Sequence, residues 1–327
     1  MKIRILKALK ENKDGYISGA KLAENLEVSR TAVWKHINQL KKEGYNIVSV
    51  SSKGYRLLED QSLMTREEIF LGIKDLSFLD EVYYFDTIGS TNTYIKEIEG
   101  KNSGQQLLVI SDEQTAGRGR LGRKWESPKG DGIWMSLLLR PRISPFEASK
   151  ITQIAAAALV EALRNVLGID VKIKWPNDLI LSGKKLAGVL TEMNAELSSV
   201  NYVVLGCGIN VNTIEFPDDL KDKATSLKLE LDKEINKKDI IVSFIRAFYK
   251  LYSSFEKAGD YEETLKICRE NSATLGKQVR VISGDTVEIG KAIDLNSNGE
   301  LIIEDENGDQ KTIFYGEVSV RGINGYL

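Results

Sequence analysis

Three glycines and three arginines share seven residues at Gly117-Arg118-Gly119-Arg120-Leu121-Gly122-Arg123, and Lys124 and Trp125 follow. Glycine lets backbone N–H groups approach an anion, and arginine offers fixed bidentate donors for phosphate or carboxylate. No packed core calls for this composition, so the run predicts a loop that closes on an anionic ligand. It is not a Walker loop, because the Gly-x4-Gly-Lys-Ser/Thr pattern is absent.

Three other clusters carry chemistry. Gly89-Ser90-Thr91-Asn92 follows a predicted strand and opens a helix. Its short polar side chains cap that helix, and the same side chains suit a small neutral polar ligand. Lys174-Trp175-Pro176-Asn177-Asp178 ends a strand, and Ser182-Gly183 turns the chain back into Lys184-Lys185-Leu186-Ala187-Gly188. Alternation along the return strand predicts that one of the two lysines faces inward, with Lys184 the solvated one. Gly206 and Gly208 flank Cys207 after an apolar strand, which signals close backbone approach by a ligand or a neighbouring strand.

Strands and helices alternate from Leu63 to about Thr274, an α+β pattern around a mixed sheet. Predicted strands lie at 82–85, 106–112, 132–139, 171–175, 179–181, 185–193 and 202–209. Helices are predicted at 93–98, 150–167 and 240–257. The 327 residues predict about two domains, or one large domain with appendages. A single His, His36, and two Cys, Cys207 and Cys268, exclude a Cys/His zinc site and a disulfide framework. The first residues, Met1-Lys2-Ile3-Arg4, show no signal-type apolar region, and the longest apolar run, Ile154 to Val160, is far short of the roughly 20 residues of a membrane span. These features predict a cytoplasmic protein with no membrane partner.

Charge is unevenly placed. Residues 1–58 hold 12 Lys/Arg against 5 Asp/Glu, a net of +7, whereas 275–327 hold 5 against 9, a net of −4. The basic head reads as a helix over 1–12, a second over 19–25 capped by Ser18, and a third over 30–43 capped by Ser29 and ended by Gly44. Strands at 46–50 and 55–58 then form a wing. This is the order of a winged helix-turn-helix, whose third helix enters the major groove. Ser29, Arg30, Thr31, Trp34, Lys35 and Asn38 are the candidate DNA contacts. His36 reads as a backbone or phosphate contact rather than a catalyst. Glu59 to Ser62 reads as a polar linker. The acidic tail shows short strands at 276–281, 285–292, 299–304 and 311–315, with tight turns at Ser283-Gly284, Asn298-Gly299 and Asn307-Gly308.

Taken together, Gly-Ser-Thr-Asn at 89–92, Gly-Arg-Gly-Arg-x-Gly-Arg-x-Trp at 117–125, Lys-Trp-Pro-Asn-Asp at 174–178, Lys-Leu-Ala-Gly at 185–188 and Gly-x-Gly-Ile-Asn at 206–210 resemble the biotin–protein ligase family, in family order. With the winged helix in front, the whole chain resembles the bifunctional form, ligase and biotin-operon repressor. The resemblance implies three domains: a winged helix-turn-helix over 1–62, a class II synthetase-like catalytic domain over 63–274 and a small SH3-like β-barrel over 275–327.

It also implies ATP-dependent formation of biotinyl-5′-AMP and transfer of biotin to one lysine of a biotin carboxyl carrier protein domain of a biotin-dependent carboxylase. Ser90, Thr91, Asn92 and Gln114 would hold the biotin ring system. Arg118, Gly119 and Arg120 would close over ligand and phosphate, with the two arginines taking part in catalysis. Lys185 would bridge the biotin carboxylate and the α-phosphate, and Gly206 and Gly208 would floor the pocket. Lys174, Asn177, Asp178 and Arg321 would serve ATP, with Asp178 the one carboxylate for Mg²⁺. Residues 213–229 form a candidate adenylate-covering loop. Leu121 departs from the arginine that many relatives carry there. The adenylate would act as corepressor on a homodimer that binds an inverted-repeat operator. The alternative, a biotin-sensing repressor without ligase activity, sits poorly with an intact Lys185 and a complete Gly-Arg run.

Overall fold

The computed structural model describes residues 1–12, 15–58, 63–101, 104–314 and 318–322. The chain divides into two compact units, Met1–Asp75 and Leu76–Leu327.

In the first unit, α1 (Lys2–Glu11), α2 (Gly19–Leu26) and α3 (Arg30–Lys42) precede a hairpin of β1 (Ile47–Val50) and β2 (Gly54–Leu57). Ser18 caps α2 by accepting from the Lys21 amide, and Ser29 caps α3 by accepting from the Ala32 amide, both at 3.1 Å. Ile5, Leu6, Leu9, Leu22, Val33, Ile37 and Leu40 recur at helical spacing and are fully or almost fully buried in one core. A further helix, α4 (Arg66–Ile73), belongs to this unit, so the expected boundary after residue 62 shifts towards Asp75. Its buried Glu67 and Glu68 pair with Lys2 at 2.9 Å and Lys10 at 2.8 Å, and its cap, Thr65, hydrogen-bonds Tyr45 at 2.6 Å. Burying two carboxylates on one helix hides its amphipathic pattern, which is why the sequence predicts no helix there. The expected linker, 59–62, lies outside the described residues.

The second unit is built on a seven-stranded sheet. Its strands are β3 (Glu81–Phe85), β4 (Leu107–Ser111), β5 (Gly132–Leu139), β6 (Lys172–Lys174), β7 (Asp178–Leu181), β8 (Lys184–Ala195) and β9 (Val200–Asn210), in the order β3-β4-β5-β9-β8-β7-β6. Only the β3–β4 pair is parallel. Short helix α5 (Thr91–Ile98) sets Ile95 against Leu107, Val109, Leu138 and Val204. The long helices α6 (Ala148–Leu167) and α8 (Lys237–Ala258) pack on each other and on the sheet, separated in the chain by α7 (Leu227–Leu231). The consecutive alanines 155–158 of α6 are fully buried, because small side chains allow close packing on all sides.

After α9 (Glu262–Glu270) comes a five-stranded antiparallel sheet of β10 (Gln278–Ser283), β11 (Thr286–Leu295), β12 (Leu301–Glu304), β13 (Gln310–Ile313) and β14 (Val318–Gly322). It is not a separate compact unit. One anchor is the turn at Gly299, whose carbonyl accepts from Gln153 Nε2 at 2.6 Å and from Trp175 Nε1 at 3.0 Å. Gly299 has φ +79°, and a Cβ there would stand 2.3 Å from Gln153 Oε1, so the docking requires glycine. The Trp175 amide also donates to Thr274 Oγ1 at 3.0 Å. The tail thus holds the segment that carries Lys174, Asn177 and Asp178. Helices α7 and α9 are short and are also absent from the sequence reading, and the expected strand end at Tyr315 lies outside the described residues.

Candidate active site

The Gly-Ser-Thr-Asn segment leaves β3 and enters α5, with Ser90 as its N-cap. Thr91 and Asn92, in the first turn, are buried. The Thr91 amide and hydroxyl both approach Gln114 Oε1, at 2.9 and 3.0 Å, and Gln114 Nε2 donates to Ser127 Oγ at 3.0 Å. Ser136, the one hydroxyl among the apolar residues of β5, lies 2.6 Å from Thr91 Oγ1 and donates to Asn92 Oδ1 at 2.5 Å. Asn92 Nδ2 donates to Glu192 Oε2 at 2.8 Å, and Lys96 pairs with Glu192 Oε1 at 2.6 Å. Gly206 of β9 backs this corner, where a Cβ would stand 2.4 Å from Asn92 Oδ1. The result is a neutral wall of hydroxyls and amides held on helix and strand.

The Gly-Arg run is a turn tied to itself by backbone bonds from Gly119 N to Arg123 O at 2.7 Å and from Trp125 N to Gly117 O at 3.0 Å. Leu121 sits at its tip, half exposed and in the left-handed region at φ +57°. Arg120 Nη1 donates to Asn177 Oδ1 at 2.9 Å, and Asn177 Nδ2 in turn donates to the Val189 carbonyl at 2.9 Å. The Trp125 indole lies over β9, where a Cβ on Gly208 would come within 2.5 Å of its Nε1. That Nε1 is buried without a hydrogen-bond partner among the described residues.

Lys185 reaches Asp178 Oδ1 at 2.7 Å and lies 5.0 Å from the centroid of the Trp125 ring. Lys184 instead points to the Lys221 carbonyl at 3.4 Å. The β7–β8 register shifts here, so that Ile180 opposes Lys185 while Leu179 opposes Ala187, with Leu186 as the extra residue. Lys174 is buried, and burial lowers its pKa to about 8. The Asp178 carboxylate opposes that shift, while the cations Lys185, Arg321 and Arg123 reinforce it. Within the 213–229 segment, residues 223–225 are stitched to Lys185: its amide donates to the Lys223 carbonyl at 2.7 Å, and its carbonyl accepts from Thr225 at 2.9 Å.

Every residue nominated from the sequence for biotin or nucleotide lines one cavity of about 1250 Å³, from Ser90 and Gln114 at one end to Lys174, Asp178 and Arg321 at the other. Sequence reasoning misses Ser136 and Glu192, and it gives no role to Arg123 or Trp125. A lone serine in an apolar strand was the available signal for Ser136, whereas nothing local marks Glu192. Among the described residues, no three His, Cys, Asp or Glu side chains group as metal ligands. Asp178 alone, already paired with Lys185, fits a Mg²⁺ held mainly by phosphate oxygens and not a cage built by protein.

In the first unit, Arg30, Thr31, Trp34 and Lys35 are exposed on α3, and Asn38 is half-buried beside them. Ser29, also exposed, caps the helix through its oxygen and keeps its hydroxyl proton as a donor. His36 belongs to this unit and not to the cavity; burial, then the nearby amino terminus, Lys35 and Lys2, lower its pKa.

The fold and the cavity define a class: a mixed-sheet body with a cavity for a ligand that is neutral at one end and anionic at the other, carried in one chain with a helix-turn-helix head. Comparison with known proteins agrees part by part. Residues 84–210 match the biotin/lipoate A/B protein ligase family, 2–56 match an HTH domain and 274–321 match the biotin protein ligase C terminal domain. The bifunctional ligase/repressor BirA of Bacillus subtilis (strain 168) is 40% identical over 299 residues, 90% of this chain and 91% of that protein. The bifunctional ligase/repressor BirA of Escherichia coli (strain K12) is 31% identical over 305 residues, 93% of this chain and 92% of that one. Among solved structures, the biotin protein ligase from Aquifex aeolicus in complex with biotin and ATP superposes with a TM-score of 0.66 at 30% identity, covering 75% of this chain and all of that one. The chain belongs to the family of bifunctional biotin–protein ligase/repressors.

Proposed function

We propose that this protein joins biotin to a lysine of a biotin carboxyl carrier protein domain at the expense of ATP, and that it represses a biotin operon when it holds the adenylate. The observation that carries the reading is the single cavity that runs from a neutral, hydrogen-bonding end to a cationic one. Biotin has the matching polarity, with a neutral ureido ring and a distant carboxylate.

In the first step, a biotin carboxylate oxygen attacks the α-phosphorus of ATP, the α–β bond breaks and pyrophosphate leaves. In the second, the carrier amine attacks the acyl carbon, AMP leaves and the amine loses a proton. The enzyme supplies no nucleophile and works by positioning and charge stabilisation. Ser90, Thr91, Asn92 and Gln114 take the ring, with Gly206 and Gly208 as floor. Lys185 exchanges Asp178 for the carboxylate and α-phosphate. Arg118, Gly119 and Arg120 cover the anhydride, and Lys174, Asn177 and Arg321 serve the nucleotide. The unpartnered Trp125 N–H is a donor left for the ligand. Mg²⁺, held by phosphates with Asp178 as its protein carboxylate, would neutralise charge on the departing pyrophosphate. The fold details implied by the family, a class II synthetase-like body and an SH3-like barrel for the tail, are consistent with the mixed sheet and the five antiparallel strands.

Ser29, Arg30, Thr31, Trp34, Lys35 and Asn38 form the DNA face, and a two-fold homodimer would match an inverted repeat. The test is ATP- and biotin-dependent labelling of a carrier domain, with operator binding measured on the same preparation. Labelling without operator binding leaves a ligase only, and the reverse leaves a biotin-sensing repressor.

A further inference from the structure

A buried asparagine amide can point either way, and only its partners decide which end is oxygen. At Asn92 both ends are engaged. Nδ2 donates to Glu192 at 2.8 Å, and Oδ1 accepts from Ser136 at 2.5 Å. A carboxylate is an acceptor only, so Glu192 cannot face the amide oxygen. The Ser136 proton is thereby committed to Asn92, and its oxygen is left to accept from Thr91, 2.6 Å away. With its hydroxyl proton given to Ser136, Thr91 donates to Gln114 Oε1 through its amide, at 2.9 Å, and Gln114 Nε2 donates to Ser127. The direction of the hydrogen bonds through Asn92, Ser136 and Thr91 starts at one ion pair, Lys96–Glu192 at 2.6 Å. Glu192 is not among the residues lining the cavity. Burial works against its charge, yet the hydrogen bonds from Asn92 and Lys96 and the charges of Lys96 and Arg118 hold the carboxyl below its usual value.

We infer that Glu192 is a positioning residue that sets the donor–acceptor polarity of the ring-binding wall, and through it the selectivity for a ligand that offers N–H groups at fixed places. The inference rests on the assignment of Asn92, Thr91 and Gln114 to the biotin ring. Gln at 192 can meet either end of the Asn92 amide, so the Glu192→Gln substitution keeps the volume and removes the polarity.

The experiment measures the Kd of the full-length protein for biotin, and for an analogue in which one ring N–H is replaced by oxygen, together with the KM for ATP and thermal melting. Glu192→Gln is expected to weaken biotin about tenfold and to shrink its preference over the analogue several-fold, with ATP KM and melting near wild type. Glu192→Ala, which removes the acceptor and adds no donor, should weaken biotin similarly. It is the second variant should the first not fold. Wild-type selectivity in a folded Glu192 variant overturns the inference, provided that Asn92→Ala weakens biotin. If Asn92→Ala leaves biotin binding unchanged, the assignment of the ring site fails and the inference fails with it.

Discussion

The two ends of the cavity are built on opposite principles. At the neutral end, Thr91, Asn92, Gln114, Ser127 and Ser136 already satisfy one another, and they stand on α5, on β5 and in segments pinned to them. At the cationic end, Lys174 is buried near Lys185, Arg321 and Arg123 as well as Asp178, and Arg120 and Lys185 hold partners that a ligand can replace. The neutral end recognises shape and hydrogen-bond pattern with little rearrangement, so its cost is met in folding. The cationic end stores unfavourable charge that an anion relieves, which places its binding energy where the reaction creates charge.

The largest effect expected from this contrast is at Lys185. Lys185→Ala removes a cation from a centre holding carboxylate and phosphate, and adenylate formation should fall about 10²–10³-fold in pyrophosphate exchange. Lys184→Ala, outside the cavity, should stay within about twofold, as expected for a surface change away from the site. Equal losses for both would erase the distinction between the two lysines.

Gly206→Ala breaks the other end. A methyl group 2.4 Å from Asn92 Oδ1 must displace a hydrogen-bonded amide, and biotin Kd should rise by about tenfold or more. ATP KM should move far less. A parallel rise in both constants would show that the two ends are not independent.

A smaller effect is expected from pH. Lys174 is charged below about 8 and loses its proton above that value, because burial outweighs Asp178. An anion prefers the protonated form, so affinity for ATP should fall severalfold as pH rises through 8. Binding above pH 8 should take up a proton, visible as a buffer-dependent heat in calorimetry. Lys174→Met should weaken ATP at neutral pH and flatten the profile; a wild-type profile in that variant excludes Lys174 as its source.

The smallest change concerns the tail. Trp175→Phe deletes one of two donors to the Gly299 carbonyl and leaves Gln153 in place. A loss of about 1 kcal/mol in stability is expected, read as a lower denaturant midpoint, with a modest rise in ATP KM. An effect on biotin Kd larger than on ATP would contradict the assignment of this segment to the nucleotide end.

Much of the molecule was legible because its signals are local. The helix caps Ser18, Ser29 and Ser90, the helical spacing of Val33, Ile37 and Leu40, and the turn glycines follow from neighbours a few residues away. The Gly-Arg run declares its chemistry by composition, whereas Lys174 to Asp178 draw theirs from the family resemblance. Helix α4 was not legible, because its buried Glu67 and Glu68 make sense only beside Lys2 and Lys10, more than fifty residues earlier.

Sequence alone therefore determined the parts list: a basic helical head, a mixed-sheet body, a strand-rich tail and the residues able to bind a neutral ring and an anion. Tertiary structure alone decided how those residues join. It set Glu192 behind Asn92 across 100 positions and Lys185 against Asp178 and the Trp125 ring. It also tied the Gly299 turn to Trp175. The physical reason is range. Backbone propensity and capping act over one or two turns, whereas the direction of a buried hydrogen bond or the pKa of a buried lysine depends on groups that only folding brings within a few ångströms.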